Sequence, residues 1–228
     1  MSVEIEFKFR VDDDATLQKL QDAAGGEQLS CVEQHNHFFD SASSALDRAK
    51  FVLRLRVQGP VGETPAYIVT AKGPGMKSSD GTLSKKAEEE ITISADDAEA
   101  CFAGDVSPLA LLRAQDGGPS RTQLLDAMEA ALDGDAVREA GRFDNNRTTQ
   151  KATLPTGDGD AIALTLEFDR TVFPGDIRHY EVEVEVAEED TDRAGRAMRK
   201  LLDDTGVQQK SAPGKAKRFF KALRGEAI

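Results

Sequence analysis

The sequence predicts an α+β fold, and three observations carry the prediction. Segments at both ends of the chain alternate apolar and charged residues with a period of two, the strand period. The middle switches to helical spacing, and a turn signal joins two of the later strands. Three of the alternating segments also carry a charged face of concentrated character. Such faces suit the lining of a closed barrel better than a mixed, solvated sheet face.

The elements follow in order. Residues Val3–Val11 place Val3, Ile5, Phe7 and Phe9 on one face and Glu4, Glu6, Lys8 and Arg10 on the other. Residues 12–14 are three aspartates that offer helix caps, and Leu17 and Leu20 followed by Gly25 and Gly26 describe a short helix and its stop. Strands are predicted at residues 34–40, 51–57, 67–72 and 88–93, with a loop at 73–81. In the 51–57 strand Phe51, Leu53, Leu55 and Val57 oppose Val52, Arg54 and Arg56. Residues 95–140 are rich in Ala, Leu and Asp. The spacing of Leu109 and Leu112, and of Leu124, Leu125, Met128 and Leu132, predicts a helical insertion there.

Strands resume at 141–154 and 161–168, joined by the turn signal of 155–160. The 180–186 strand alternates Glu181, Glu183 and Glu185 with Val182, Val184 and Val186. An amphipathic helix at 191–204 stops at Gly206, and 214–223 reads as a last helix or an extended tail. No repeat, low-complexity tract or linker divides the chain, so one domain over 1–228 is expected.

A net charge of -12 disfavours non-specific binding to nucleic acid or an anionic membrane, and neither partner is expected. No apolar run has the length of a membrane span, and the N-terminus has no secretory signal, which makes a cytoplasmic location the expectation. Cys31 and Cys101 lack metal-ligand spacing and read as two buried free thiols.

The charged faces ask for partners of opposite sign. Glu4 and Glu6, and Glu181, Glu183 and Glu185, are like charges at successive positions of a strand face, as are Arg54 and Arg56. Divalent cations satisfy the carboxylates, with hard oxygen donors suiting Mg²⁺ or Mn²⁺, and a phosphorylated ligand satisfies the arginines. Other motifs are weaker. Residues 73–79 echo a phosphate-binding loop, but Met76 stands where a glycine belongs and no helix follows. His35 and His37 share a strand face without an evident third ligand, and read as plain polar positions; His179 reads as a surface residue preceding its strand.

Those residues resemble a known family. Glu4-Ile5-Glu6-Phe7-Lys8 resembles the Glu-x-Glu-x-Lys signature of the CYTH superfamily, the triphosphate tunnel metalloenzymes. Further segments follow in family order: 34–40, the arginine strand at Arg54 and Arg56, the lysine strand ending at Lys72, and Lys86-Ala87-Glu88-Glu89-Glu90. After them come Arg147, the 166–169 and 180–185 segments, and Ala212-Pro213-Gly214-Lys215. The likeness runs from Val3 to about Phe219.

The resemblance implies an eight-stranded antiparallel β-barrel that forms a tunnel, with helices packed outside. It implies that Glu4, Glu6 and Glu183 hold metal, with Asp169, Glu181 and Glu185 as further candidates. Lys8, Arg54, Arg56, Lys72, Arg147 and Lys215 would bind phosphate oxygens. Glu88 and Glu90 would lie near the reacting phosphate or a second metal, so that Glu88, Glu90, Lys8 and Lys215 are the candidate catalytic groups. Lys86 stands where the family has an arginine. The implied activity is divalent-metal-dependent hydrolysis of a triphosphate-containing small molecule. Inorganic triphosphate leads, because the chain has no Trp and only two Tyr to make an aromatic platform. Thiamine triphosphate hydrolysis, class IV adenylate cyclase or RNA triphosphatase activity, and a module that only binds polyphosphate or a nucleotide are the alternatives.

Overall fold

Alternation turns into closure in the computed structural model, which describes residues 3–60, 62–79, 81–208, 210 and 213–228. Asp80 of the 73–81 loop and Ala212 of the C-terminal segment lie outside the described residues, as does the side chain of Val3. The strands are β1 (Val3–Val11), β2 (Glu27–Ser41), β3 (Val52–Gly59), β4 (Ala66–Lys72), β5 (Met76–Lys77), β6 (Leu83–Ile93), β7 (Val137–Pro155), β8 (Ala161–Phe173) and β9 (Ile177–Glu185). Eight of them run β1-β9-β8-β7-β2-β3-β4-β6, and β6 pairs back onto β1, so the antiparallel sheet closes on itself as predicted. β5 hangs on the outer end of β6.

The helices sit outside the barrel, because the apolar faces of the strands point outward. Helices α1 (Asp14–Ala24) and α6 (Thr191–Thr205) cover the Phe7, Phe9, Leu166, Val182 and Val184 side. Helices α2 (Ala45–Arg48), α3 (Ala95–Ala103), α4 (Pro108–Ala114) and α5 (Pro119–Leu132) cover Leu53, Leu55, Val69 and Ile91. Asp13 starts α1 by accepting from Thr16 N at 2.8 Å. Buried Asp40 starts α2 by accepting from Leu46 N at 2.8 Å and Asp47 N at 2.9 Å. The interior is left to the polar faces.

The last helix, α7 (Lys215–Leu223), closes one end of the barrel. There the inward positions of β2, β7 and β8 turn aromatic, and Phe38, Phe143 and Phe173 pack with Phe219 and Phe220 of α7. Phe38 and Phe219 stack with centroids 4.6 Å apart. This aromatic plug holds Lys215 and Arg218 over the charged interior.

Several boundaries differ from the sequence expectation for one reason. β2 begins at Glu27, seven residues before the predicted start, and Glu27–Glu33 is largely exposed, so its own pattern shows no buried face. Its register comes from the β7 ladder, which pairs residues from Glu27↔Lys151 to Ser41↔Val137. β7 likewise starts at Val137 rather than 141, and β8 runs past 168 to Phe173 through Asp169 and Arg170, charges that interrupt the apolar pattern.

Two expectations are corrected. Cys31 of β2 is exposed, while Cys101, on the core-facing side of α3, is buried. His179 is buried within β9, because its ring meets Phe173 and Arg218 instead of water.

Candidate active site

The closed ladder places the charged faces in one cavity of about 880 Å³ that runs into the barrel. Glu4, Glu6, Lys8, Arg54, Arg56, Lys72, Glu88, Glu90, Arg147, Glu183, Glu185 and Lys215 all line it, as does Lys86. Asp169 and Glu181 do not; both are fully buried behind Arg147 and Lys215.

On the β1–β9–β8–β7 wall, carboxylates and cations interleave. Lys8 and Glu183 are direct cross-strand partners, with Lys8 Nζ 2.6 Å from Glu183 Oε1 and 3.1 Å from Glu6 Oε1. Arg147 grips Asp169 with two hydrogen bonds of 2.8 and 2.6 Å and donates to Glu183 at 2.7 Å, while also pairing with Glu167. Burial works against each of these charges, yet the neighbours win. Glu183 is held well below the usual carboxylate range by Lys215, Lys8 and Arg147, and Arg147 is raised by Asp169 and Glu167.

Nearer β4 and β6, Lys72 bridges two acids. Its Nζ lies 2.9 and 3.1 Å from the oxygens of Glu4 and 2.7 Å from Glu88. Burial opposes ionisation of both acids. Lys72 and Lys86 nevertheless lower Glu4 to about 2, whereas burial and the charge of Glu4 raise Glu88 to about 7. Glu88 thus gains and loses its proton near neutrality, and when protonated it shares a hydrogen bond with Glu4. Lys86 completes the group at 3.5 Å from Glu4 and 3.2 Å from Glu6. Glu90 accepts from Thr70 at 2.6 Å and Arg54 at 3.3 Å, and stays ionised below its ordinary value.

The β3 wall is different, because its cations are under-compensated. Among the described residues Arg56 reaches only neutral oxygens, Asn36 Oδ1 at 3.2 Å and Gln58 Oε1 at 3.4 Å. Burial, together with the charges of Arg54 and Arg147, pushes it down to about 9. Arg54 is also lowered by burial, and its Nε has no hydrogen-bond partner among the described residues. This is a surface prepared for an anion.

The donor set fits a divalent cation. Oxygens of Asp169, Glu181 and Glu183 lie within 4.8 Å of one another, and hard carboxylates are the ligands that Mg²⁺ and Mn²⁺ prefer. Lys215 Nζ already sits among those three, at 2.7 Å from Asp169 and from Glu183 and in contact with Glu181. Glu183 Oε1 is a buried acceptor without an aligned hydrogen bond, held by ammonium contact alone, an arrangement that a non-directional metal charge also satisfies. Glu4, Glu6 and Glu183 differ from Asp169 and Glu181 in facing the open cavity. Glu185, at the end of β9, is exposed and lies at the edge.

The geometry also brings in residues that the sequence reading passed over. Asn145 donates to Asp169 at 2.7 Å and to Gln34 at 3.0 Å, and Glu167 pairs with Arg147. Arg218, fully buried, clasps Glu181. Glu167 was within reach, since it sits two residues before Asp169 on the same strand face. Arg218 follows Lys215 by three residues on one helix face. His35 and His37 face carboxylates singly, at 2.7 Å from Asp144 and Glu139, as plain polar positions.

The family described as the CYTH domain matches residues 2–220. The chain belongs to the CYTH domain family. YjbK of Bacillus subtilis, named as a candidate triphosphatase, is 27% identical over 227 residues, which covers 98% of each chain. Among solved structures, HpAC1 from Hippeastrum, a candidate adenylyl cyclase described as having a dominant triphosphatase activity, superposes on this CYTH chain with a TM-score of 0.76. It is 25% identical and the match covers 99% of this chain and 97% of that one. A Bacillus halodurans protein described as a candidate adenylate cyclase shares the CYTH fold at TM-score 0.61 and 19% identity, over 96% of this chain and all of that one. Among the described residues no helix is long and apolar enough to cross a membrane.

Proposed function

We propose that this CYTH protein hydrolyses the terminal phosphate of a triphosphate in the presence of Mg²⁺ or Mn²⁺, with inorganic triphosphate as the first substrate. The observation that carries the reading is the opposition of two walls in one cavity. Arg54 and Arg56, both lowered by burial and by the charge of Arg147, face carboxylates that line the far side. A polyanion neutralises the first wall and metal the second. The names borne by YjbK and HpAC1 point to the same chemistry.

In this reading Arg54, Arg56, Arg147, Lys72, Lys8 and Lys215 bind phosphate oxygens and stabilise charge that grows on the leaving phosphate. Glu4, Glu6 and Glu183 would hold the metal, whose chemistry when bound is to neutralise phosphate charge and polarise water. Glu88, poised at about 7, has the pKa suited to taking a proton from the attacking water. Glu90 keeps Arg54 in place, and Asp169 keeps Arg147 and Lys215 in place.

A second reading has its own observation. Phe51, Phe38, Phe143 and Phe220 border the cavity, and the space exceeds what a bare triphosphate chain fills. An organic triphosphate, thiamine triphosphate or ATP, would set its ring system there. The deciding experiment measures phosphate release from tripolyphosphate, thiamine triphosphate and ATP side by side, each with Mg²⁺, Mn²⁺ or EDTA. Metal-dependent release, fastest from tripolyphosphate, is expected. Binding without release from any of the three would make the protein a binding module instead.

A further inference from the structure

One helix clasps Glu181 from both sides. Lys215, the first residue of α7, contacts Oε1, and Arg218, one turn later on the same face, contacts Oε2. Glu181 and Arg218 are both fully buried, and neither lines the cavity. Both carboxylate oxygens are therefore committed to α7.

Arg218 is itself fixed on three sides. Besides Glu181 it donates to His179 Nδ1 at 2.8 Å, and its guanidinium lies 5.1 Å from the centroid of Phe173. An arginine suits this place because its rigid, planar fork presents separate N–H groups in fixed directions to an acid and an imidazole. Lys215 has the opposite character. Its long, flexible stem reaches the cavity wall, where its ammonium also meets Asp169 and Glu183.

The geometry points to Arg218 as a positioning residue, which holds Glu181 as a strut between α7 and β9 so that Glu181 aims the Lys215 ammonium into the cavity. Glu181 then serves the helix and not the metal. The assignment rests on the proposed role of Lys215 in binding phosphate.

The test uses the full-length protein with Arg218→Met, Arg218→Lys and Glu181→Gln, each alone and combined with Lys215→Met, assayed on tripolyphosphate over a Mg²⁺ titration. Arg218→Met and Glu181→Gln are expected to raise KM by at least about tenfold, the scale of one lost charge-assisted hydrogen bond. In the Lys215→Met background the same changes should add less than about twofold, as coupled residues do. Half-activating Mg²⁺ should stay within about twofold in Glu181→Gln, since no metal ligand is lost. Arg218→Lys, which keeps the charge and loses the fork, covers the case in which Arg218→Met does not fold, and should also raise KM. Independent, multiplying effects in the double variants would overturn the strut. So would a tenfold or greater rise in half-activating Mg²⁺ on Glu181→Gln, about the least effect of losing a metal contact. If the wild type hydrolyses no triphosphate, the proposed function fails alone, and amide exchange then judges the strut. Loss of protection confined to Lys215–Leu223 in Arg218→Lys supports it, and unchanged or uniformly lowered protection overturns it.

Discussion

Lys72 and Glu88 face each other across the β4–β6 ladder, and their charged ends lie 2.7 Å apart. Glu4 shares the same ammonium, so two carboxyls compete for one cation and one of them keeps its proton. This relationship makes the metal-free protein sensitive to pH near neutrality. Glu88 is raised from 4.5 to about 7, so between those values the folded state binds more protons than the unfolded one. Stability from this group is then lost as pH rises through that window. Glu4, lowered to about 2, contributes stability that is fully present above 4.5 and adds no slope there. Gln mimics the protonated acid. In EDTA, wild type and Glu88→Gln should therefore melt alike at pH 5, while at pH 8 the variant should be more stable by about 1–3 kcal/mol, or a few degrees in Tm. Parallel melting curves across that range would refute the shared proton.

Glu4→Gln and Glu6→Gln should each abolish turnover that depends on Mg²⁺ or Mn²⁺ and leave the fold standing. The fold survives because the cations released are not stranded. Lys72 retains Glu88, Lys86 retains whichever of the two acids remains, and Lys8 retains Glu183. Circular dichroism with a metal titration of phosphate release checks both halves. Unchanged activity in either variant would remove that residue from the metal site.

Arg56→Met should raise KM for tripolyphosphate by about 10–100-fold, the range of one or two charge-assisted hydrogen bonds. It should not lower Tm, because removing Arg56 relieves repulsion with Arg54 and Arg147 and breaks only neutral contacts. Steady-state kinetics at two salt concentrations, beside thermal melting, separates these effects. A large loss of stability with KM unchanged would mean that Arg56 is part of the scaffold.

The barrel was legible because its inside and outside are written in alternation. Val3–Val11 declares both faces, and the register Lys8↔Glu183 and Arg147↔Asp169 joins charges that the pattern shows separately. What the sequence hides is depth along a shared face. Glu181 and Glu183 look equivalent on β9, yet Glu181 lies behind Lys215 and Glu183 opens to the cavity. That difference depends on α7, whose docking depends in turn on Phe38, Phe143 and Phe173 from three separate strands. Polar partnerships such as Asn145 with Asp169, or Asp40 with the start of α2, have no periodic signal at all.

The corner between α1 and β2 gives a stability test away from the cavity. Gly26 has φ +89°, and a Cβ there would stand 2.1 Å from the carbonyl oxygen of Lys151 in β7. Backbone cannot yield as a side-chain end can, so Gly26→Ala must push β2 off β7 at the start of its ladder, next to the Glu27↔Lys151 pair. Gly25 beside it has φ +59° with nothing within 4 Å, so Gly25→Ala bears only the backbone strain, about 1–3 kcal/mol. Gly26→Ala should cost more than Gly25→Ala by the added clash, with Tm lower by a further several degrees. KM and half-activating Mg²⁺ should be unchanged in whatever protein remains folded, because neither glycine lines the cavity. Equal melting temperatures for the two variants would show that the corner relaxes without moving the ladder.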